Sequence, residues 1–295
     1  MAHFESGLNM DNLDETSPAE VEAYLSRLLS NRGPIYEVTS SLVWFDERPD
    51  FAKRARWGGR LFGSPDPVQI VMSGIAHLFT YINVCWEAGI LNEFKSLQRQ
   101  GLTKAQLMEI VMAAQLSAGF KGLESVYRAV GMLLRDFQDR PEPAAWPEGW
   151  APDRGAFQSG LDLSTRELTG ADRRAIFTWY EKTIGEVPRS IEFVANYHPE
   201  FLKAYRIKWE GALRGALPKQ VMPYLMLRHN THNGFRDGIR EAALLGRAWG
   251  MSRRWIMYAV TCTAYYCTGI DALYIARDAL QDVFDNWDST PVGQS

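Results

Sequence analysis

Cysteine is scarce in this chain. There are three, Cys85, Cys262 and Cys267, an odd number with no Cys-x-x-Cys pair. A disulfide framework is therefore excluded as the organising principle, and a reduced, cytoplasmic protein is expected. An excess of one charge sign is also missing. The formal net charge of −3 offers no electrostatic footprint for nucleic acid, so none is expected as a partner. No stretch approaches the roughly 18 uncharged apolar residues of a membrane span, and no membrane association is expected. The opening MAHFESGLNMDNLDE is acidic and lacks the basic and apolar regions of a secretory signal. No glycine-rich phosphate loop, GxSxG elbow, HExxH pair or zinc-finger spacing occurs. These absences argue against nucleotide enzymes, serine hydrolases and zincins, and no cofactor or metal is expected.

Strand signals are few, and long helical periodicities dominate. Ser17-Pro18-Ala19-Glu20 is a helix start, with Ser17 as N-cap, Pro18 in the first turn and Glu20 completing a capping box. Val21, Tyr24, Leu25 and Leu28 share one face of the helix that follows, and Asn31-Arg32-Gly33-Pro34 ends it. Beyond this arm the chain echoes itself about 150 residues on. Pro49-Asp50-Phe51-Ala52-Lys53 returns as Pro199-Glu200-Phe201-Leu202-Lys203, and Val38 to Ser41 as Val187 to Ser190, one residue out of register. Gly101-Leu102-Thr103-Lys104 returns as Gly250-Met251-Ser252-Arg253. Thr103 and Ser252 are natural N-caps of the long apolar helices that follow, and Gln106 completes a capping box in the first. Each helix then carries a small-residue break, Ala118-Gly119-Phe120 or Thr268-Gly269-Ile270, with Arg128 and Arg277 beyond. Matches kept in one order at a near-constant offset read as a tandem duplication. Pro141, Pro143, Pro147 and Pro152 cannot continue a helix and mark a linker between the copies. Its Trp146, Trp150 and Phe157 point to packing on the surface.

The phrases Gly101-Leu102-Thr103-Lys104-Ala105-Gln106-Leu107-Met108-Glu109-Ile110 and Ser117-Ala118-Gly119-Phe120-Lys121-Gly122 resemble the carboxymuconolactone decarboxylase and AhpD-like alkylhydroperoxidase superfamily. The second copy is more divergent but keeps the Gly-Met-Ser corner. The resemblance spans roughly residues 38 to 135 and 187 to 282. It implies an all-α fold of two AhpD-like helical repeats in tandem, with an N-terminal helical arm. The expected division is an arm over 1–34, a first repeat over 35–139, a Pro/Trp-rich linker and helix start over 140–180, and a second repeat over 181–295. Assembly as a homo-oligomer, a trimer of pseudo-hexameric form, is likewise what the resemblance implies.

The departures from the family pattern bear on chemistry. The three places of the family's Cys-x-x-Cys-x-x-x-His run hold Phe235, Gly238 and Ala242 in the second copy and Trp86, Gly89 and Glu93 in the first. Thiol peroxidase chemistry needs a thiolate and usually a resolving thiol, so that mechanism does not carry over. The decarboxylase branch's histidine also falls on Glu93 or Ala242. Cys85 stands one residue off and reads as a packed thiol; a lone peroxidatic role for it is the competing oxidoreductase reading.

The most polar stretch is Arg228-His229-Asn230-Thr231-His232-Asn233-Gly234-Phe235-Arg236-Asp237. On one continuous helix His229, His232, Arg236 and Arg240 would form a single stripe. Paired imidazoles can trade protons near neutrality, and a guanidinium can clamp a carboxylate. The expected roles are acid and base for His229 and His232, carboxylate binding for Arg228 or Arg236, and a hydroxyl lent by Tyr266 or its neighbour Tyr265. A solvated helix face is the competing reading. A metal held by the histidines with Asp237 or Glu241 lacks an evident third ligand. His77, Tyr81 and Cys85 share a face among Phe79, Ile82 and Trp86, where a core histidine is expected. Gly234, Gly238, Ala242 and Gly246 recur every four residues and read as close helix packing. Trp255, Tyr258, Tyr265, Tyr266 and Tyr274 read as core or interface. The function expected from this set is a cofactor-independent decarboxylase, lyase or isomerase acting on a small carboxylated or cyclic metabolite, with the second copy active. A non-catalytic ligand- or partner-binding helical protein is the reading from the other class.

Overall fold

The structure is a computed structural model that describes residues 8–32, 45–62 and 66–288. Among these the chain is all-α, without a strand; Pro152 and Pro218 form one isolated bridge. No helix among the described residues is long and apolar enough to cross a membrane. The chain forms two compact units. One comprises residues 1–107 and 120–146, the other residues 108–119 and 147–295.

In the first unit, α1 (Pro18–Arg32) opens with the expected capping box. The Ser17 N–H donates to Glu20 Oε2 at 3.0 Å, and the Glu20 N–H donates to Ser17 Oγ at 3.2 Å. Helix α2 (Pro49–Phe62) sends the buried Lys53 to this cap. Its Nζ donates to the carbonyls of Asn9, Asn12 and Glu15 and lies 3.0 Å from Glu20 Oε1. A buried ammonium is stable only when so fully paired. Leu8, Tyr24, Phe45 and Ala52 form a small core beside it. The expected arm is thus part of this unit rather than a separate piece. The echo assigned to Val38–Ser41 lies outside the described residues.

Helix α3 (Pro67–Asn83) is apolar nearly all round, and most of its residues from Val71 to Ile82 are buried. It turns at Val84-Cys85-Trp86 into α4 (Glu87–Arg99), with Cys85 left-handed at φ 56° and the Trp86 N–H donating to the Tyr81 carbonyl at 2.9 Å. Gly101 at φ 87° then leads to the Thr103–Gln106 capping box of α5 (Lys104–Arg135). That helix breaks at Gly119, whose φ 63° and ψ −156° are not helical.

The second unit uses local devices of the same kinds. Helix α6 (Gly170–Ile184) carries a Thr169–Asp172 capping box. Helix α7 (Arg189–Tyr197) leads into α8 (Pro199–Ala212), which supplies buried Lys203. Its Nζ donates to Asp172 Oδ2 and to the Glu167 carbonyl, both at 2.8 Å. Helix α9 (Val221–His232) turns at Asn233-Gly234-Phe235 into α10 (Arg236–Ala248), with Gly234 at φ 67° and the Phe235 N–H donating to the Asn230 carbonyl at 2.8 Å. Gly250 at φ 86° and the Ser252 cap open α11 (Arg253–Thr263), which widens into a π turn (Ala264–Thr268) before Gly269 and α12 (Asp271–Asp285).

Some helices of the two units agree in length and others do not: α1 and α6 have 15 residues, α2 and α8 have 14, and α4 and α10 have 13, whereas α3 has 17 and α9 has 12. Gly101 and Gly250 stand 149 apart, whereas Gly119 and Gly269 stand 150 apart.

The expected linker is not a tether. Trp150 and Phe157 are buried, with Phe157 packed edge-on against Trp209 and Trp249 at 4.8 and 4.6 Å. Proline forbids helix here but not burial, so the aromatics enter the core instead of covering a surface. Glu109, on the part of α5 that belongs to this unit, accepts from the N–H groups of Arg214, Ala216 and Leu217 at 2.6 to 2.9 Å. It thereby holds the loop between α8 and α9.

Candidate functional site

Trp179 and Tyr180 are consecutive on α6, and Tyr205 and Trp209 are one turn apart on α8. They wall a cavity of about 260 Å³, closed from the far side by Met226 of α9 and Glu241 of α10. Arg206 stiffens the wall from behind. Its guanidinium stacks over Trp179 at 4.0 Å and Trp209 at 4.5 Å, while Nε donates to Glu210 Oε1 and Nη2 to the Phe157 carbonyl, both at 2.8 Å. The Trp179 indole is held by donating to the Ala156 carbonyl at 3.0 Å. The aromatic walls are therefore fixed before any ligand arrives.

Glu241 is the one carboxyl on this lining. It is half-buried and forms no ion pair among the described residues. Burial pushes it up to about 7, reinforced by Asp237 and Glu186 and opposed by Arg240. Arg240 relieves little of this because it is itself paired with Glu186 and Asp282. Burial also pushes the Tyr180 phenol up to about 12 and raises Tyr205, which stands part-exposed at the mouth. At neutral pH the cavity thus offers one carboxyl poised to gain or lose a proton and two phenols that remain donors. No lysine or arginine lines it.

The residues expected to form the site are arranged differently. The stripe of His229, His232, Arg236 and Arg240 does not exist, because α9 ends at His232 and Arg236 begins α10. Gly234 in the left-handed conformation ends α9, with the Phe235 N–H reaching back to the Asn230 carbonyl. Asn233-Gly234 was the legible stop signal inside that polar stretch.

His229 and His232 do stand near one another at the end of α9. Burial, and then His232, push His229 below its ordinary value, so it is neutral at pH 7. The His229 ring faces the Asn233 amide at 3.3 Å and Phe235 at 6.2 Å between centroids. His232 Nδ1 is buried without a partner. Arg228 is 1% exposed and faces Cys267, its Nη2 4.0 Å from the sulfur. Arg236 is exposed and donates to the Asp278 carbonyl. Tyr266 sits exposed in the π turn, edge-on to Tyr265. None of these five residues lines the aromatic cavity.

In the first unit, His77 is buried with its Nδ1 3.7 Å from Glu93 Oε1 and its ring stacked on Tyr81. Among the described residues no group of three His, Cys, Asp or Glu side chains is arranged to hold a metal.

Comparison with protein-family models, curated proteins and solved structures finds no match.

Proposed function

We propose that the chain is a cofactor-independent acid–base enzyme whose substrate is a small cyclic molecule held in the aromatic cavity. Glu241 is the proton donor and acceptor, and the Tyr180 and Tyr205 phenols donate hydrogen bonds to a substrate oxygen. One observation carries this reading: a half-buried carboxyl without an ion-pair partner among the described residues, set against an aromatic wall and pushed up to about 7 by that burial. A group poised near the working pH is what general acid–base catalysis needs, and it contributes roughly 10²–10⁴-fold. The volume of about 260 Å³ lies just below the usual ligand range of roughly 300–1,000 Å³, which favours a one- or two-ring compound. With no cation on the lining, a neutral ring fits better than a carboxylated one. Reaction types within this reading are lyase or isomerase chemistry on such a ring, in keeping with the superfamily resemblance.

The paired helix lengths, corners and lysine-held caps support an origin by duplication, and with it a division of labour. The place of Glu241 is taken in the first copy by Asn92, 149 residues earlier, an amide that cannot exchange a proton near neutrality. The second copy is the active one in this reading. Self-assembly belongs to it as well: Phe120, 84% exposed, and Ile270, 69% exposed, follow Gly119 and Gly269 directly, and a homotrimer would cover them.

The test has two arms. Binding of 2-naphthol, a neutral two-ring probe, is read by quenching of tryptophan fluorescence in the native protein and in Trp209→Ala. Turnover of a panel of lactones and cyclic enols is then compared between native protein and Glu241→Gln. Saturable binding lost in Trp209→Ala, with turnover reduced at least 100-fold in Glu241→Gln, is expected. Full turnover by Glu241→Gln sinks the assignment.

A further inference from the structure

One face of α9 carries Tyr224, Arg228, Thr231 and His232, at i, i+4, i+7 and i+8. The first three are 1% exposed or less. Tyr224 Oη, Arg228 Nε, Thr231 Oγ1 and His232 Nδ1 are all buried without a hydrogen-bond partner. Buried polar atoms are nearly always paired, and four orphans along one helix face ask for a common explanation. This face lies opposite the one that presents Met226 to the aromatic cavity.

Arg228 defines the problem. Its guanidinium keeps its proton under all ordinary conditions. Among the described residues no carboxylate forms an ion pair with it, and its side-chain contacts are with uncharged groups, the thiols of Cys267 and Cys262 and the phenol of Tyr224. The neighbours are the thiols of Cys262 and Cys267 and the phenol of Tyr224, all held protonated by burial. Water can satisfy the unpaired hydrogen-bonding atoms, but it cannot neutralise the charge. A buried cation surrounded by groups that each carry a proton to donate is completed by an anion.

We infer that Arg228, Tyr224 and Thr231 form an internal site for one small monoanion, a halide or a one- or two-carbon carboxylate. The size limit follows from the packing, since Tyr224, Arg228 and Thr231 are each 1% exposed or less. Access comes through the π turn, where Cys267 is only half-buried and Tyr266 is exposed. The wider turn places Cys267, five residues after Cys262, beside the same guanidinium. The first copy has nothing comparable: Ile75 and Phe79 stand where Tyr224 and Arg228 would be, 149 residues earlier. The site is separate from the Glu241 cavity and does not depend on its chemistry.

The test uses the full chain. Crystals are soaked in sodium bromide and, separately, in sodium formate. Melting is followed against chloride, bromide and formate at constant ionic strength, with gluconate as the bulky control anion. An anomalous bromide peak within hydrogen-bonding distance of Arg228 is expected, together with a saturable rise in melting temperature at millimolar bromide or chloride. Arg228→Met should abolish the anion dependence while melting no lower than the native protein in gluconate. Formate in the density without bromide would assign the site to a carboxylate. Absence of both from the Arg228 face, with equal melting in all four salts, overturns the proposal. If Arg228→Met fails to fold, the soaks of native protein decide alone.

Discussion

Glu241 and Asp172 show how one side-chain type is driven in opposite directions by its surroundings. Against the aromatic wall Glu241 rises from 4.5 to about 7, so the folded state binds a proton that the unfolded chain releases. Its contribution to stability is therefore present at low pH and is lost as pH climbs from 4.5 through about 7. Glu241→Gln removes the penalty of a buried carboxylate, and at pH 8 it should be more stable than the native protein by roughly 1–3 kcal/mol, allowing for solvent screening. Urea denaturation at pH 4 and pH 8 checks the sign, because the gain should nearly vanish at pH 4. A carbon-detected NMR titration of the Glu241 carboxyl should show a midpoint near 7, and a midpoint near 4.5 would remove the catalytic argument. For Asp172, burial works upward, but the Lys203 ammonium and the N–H groups of Asp162 and Thr169 hold the carboxyl well below its ordinary 3.8. That stability is present above pH 3.8 and is lost as pH falls below it, so Asp172→Asn should flatten the acid limb of the melting profile.

At the level of elements, the corners are set by a few backbone positions and the caps by two lysines. Lys203→Met strands the Asp172 carboxylate in the core and should destabilise by roughly 3–5 kcal/mol, as read by chemical denaturation. Gly250 and Gly269 invite a paired comparison. A Cβ at either position meets no atom within 4 Å, so any effect of alanine there is conformational. Gly250 is a left-handed position after a helix, where alanine costs roughly 1–2 kcal/mol. Gly269, at φ 78° and ψ 178°, lies in a region essentially reserved for glycine and should cost more, roughly 1–3 kcal/mol. Equal losses at both sites would mean that the π turn relaxes to absorb the substitution.

At the scale of the whole molecule, the proposed trimer makes a prediction independent of activity. Sedimentation should give a mass of three chains, and Phe120→Asp together with Ile270→Asp should shift the native protein toward monomer without loss of helical circular dichroism. A native monomer would remove the assembly. It would leave the Glu241 cavity untouched, since every wall of that cavity comes from residues of the second unit.

The helices, their caps and their corners were written locally, and they were legible for that reason. Ser17 with Glu20, Thr103 with Gln106, and Gly101 and Gly250 each act within a few residues along the chain. The all-α class follows from them. The end of α9 was equally local in Asn233-Gly234, although the run of polar residues around it suggested a single stripe. What no sequence window carries is which side chains meet across helices. Glu241 reads as an ordinary charged residue on α10 until α6 and α8 enclose it with aromatics. Arg228 reads as one of several arginines until α11 and the π turn bury it. Burial and proximity across distant segments set the proton affinity of the first and the unanswered charge of the second, and both arise only when the chain has closed on itself.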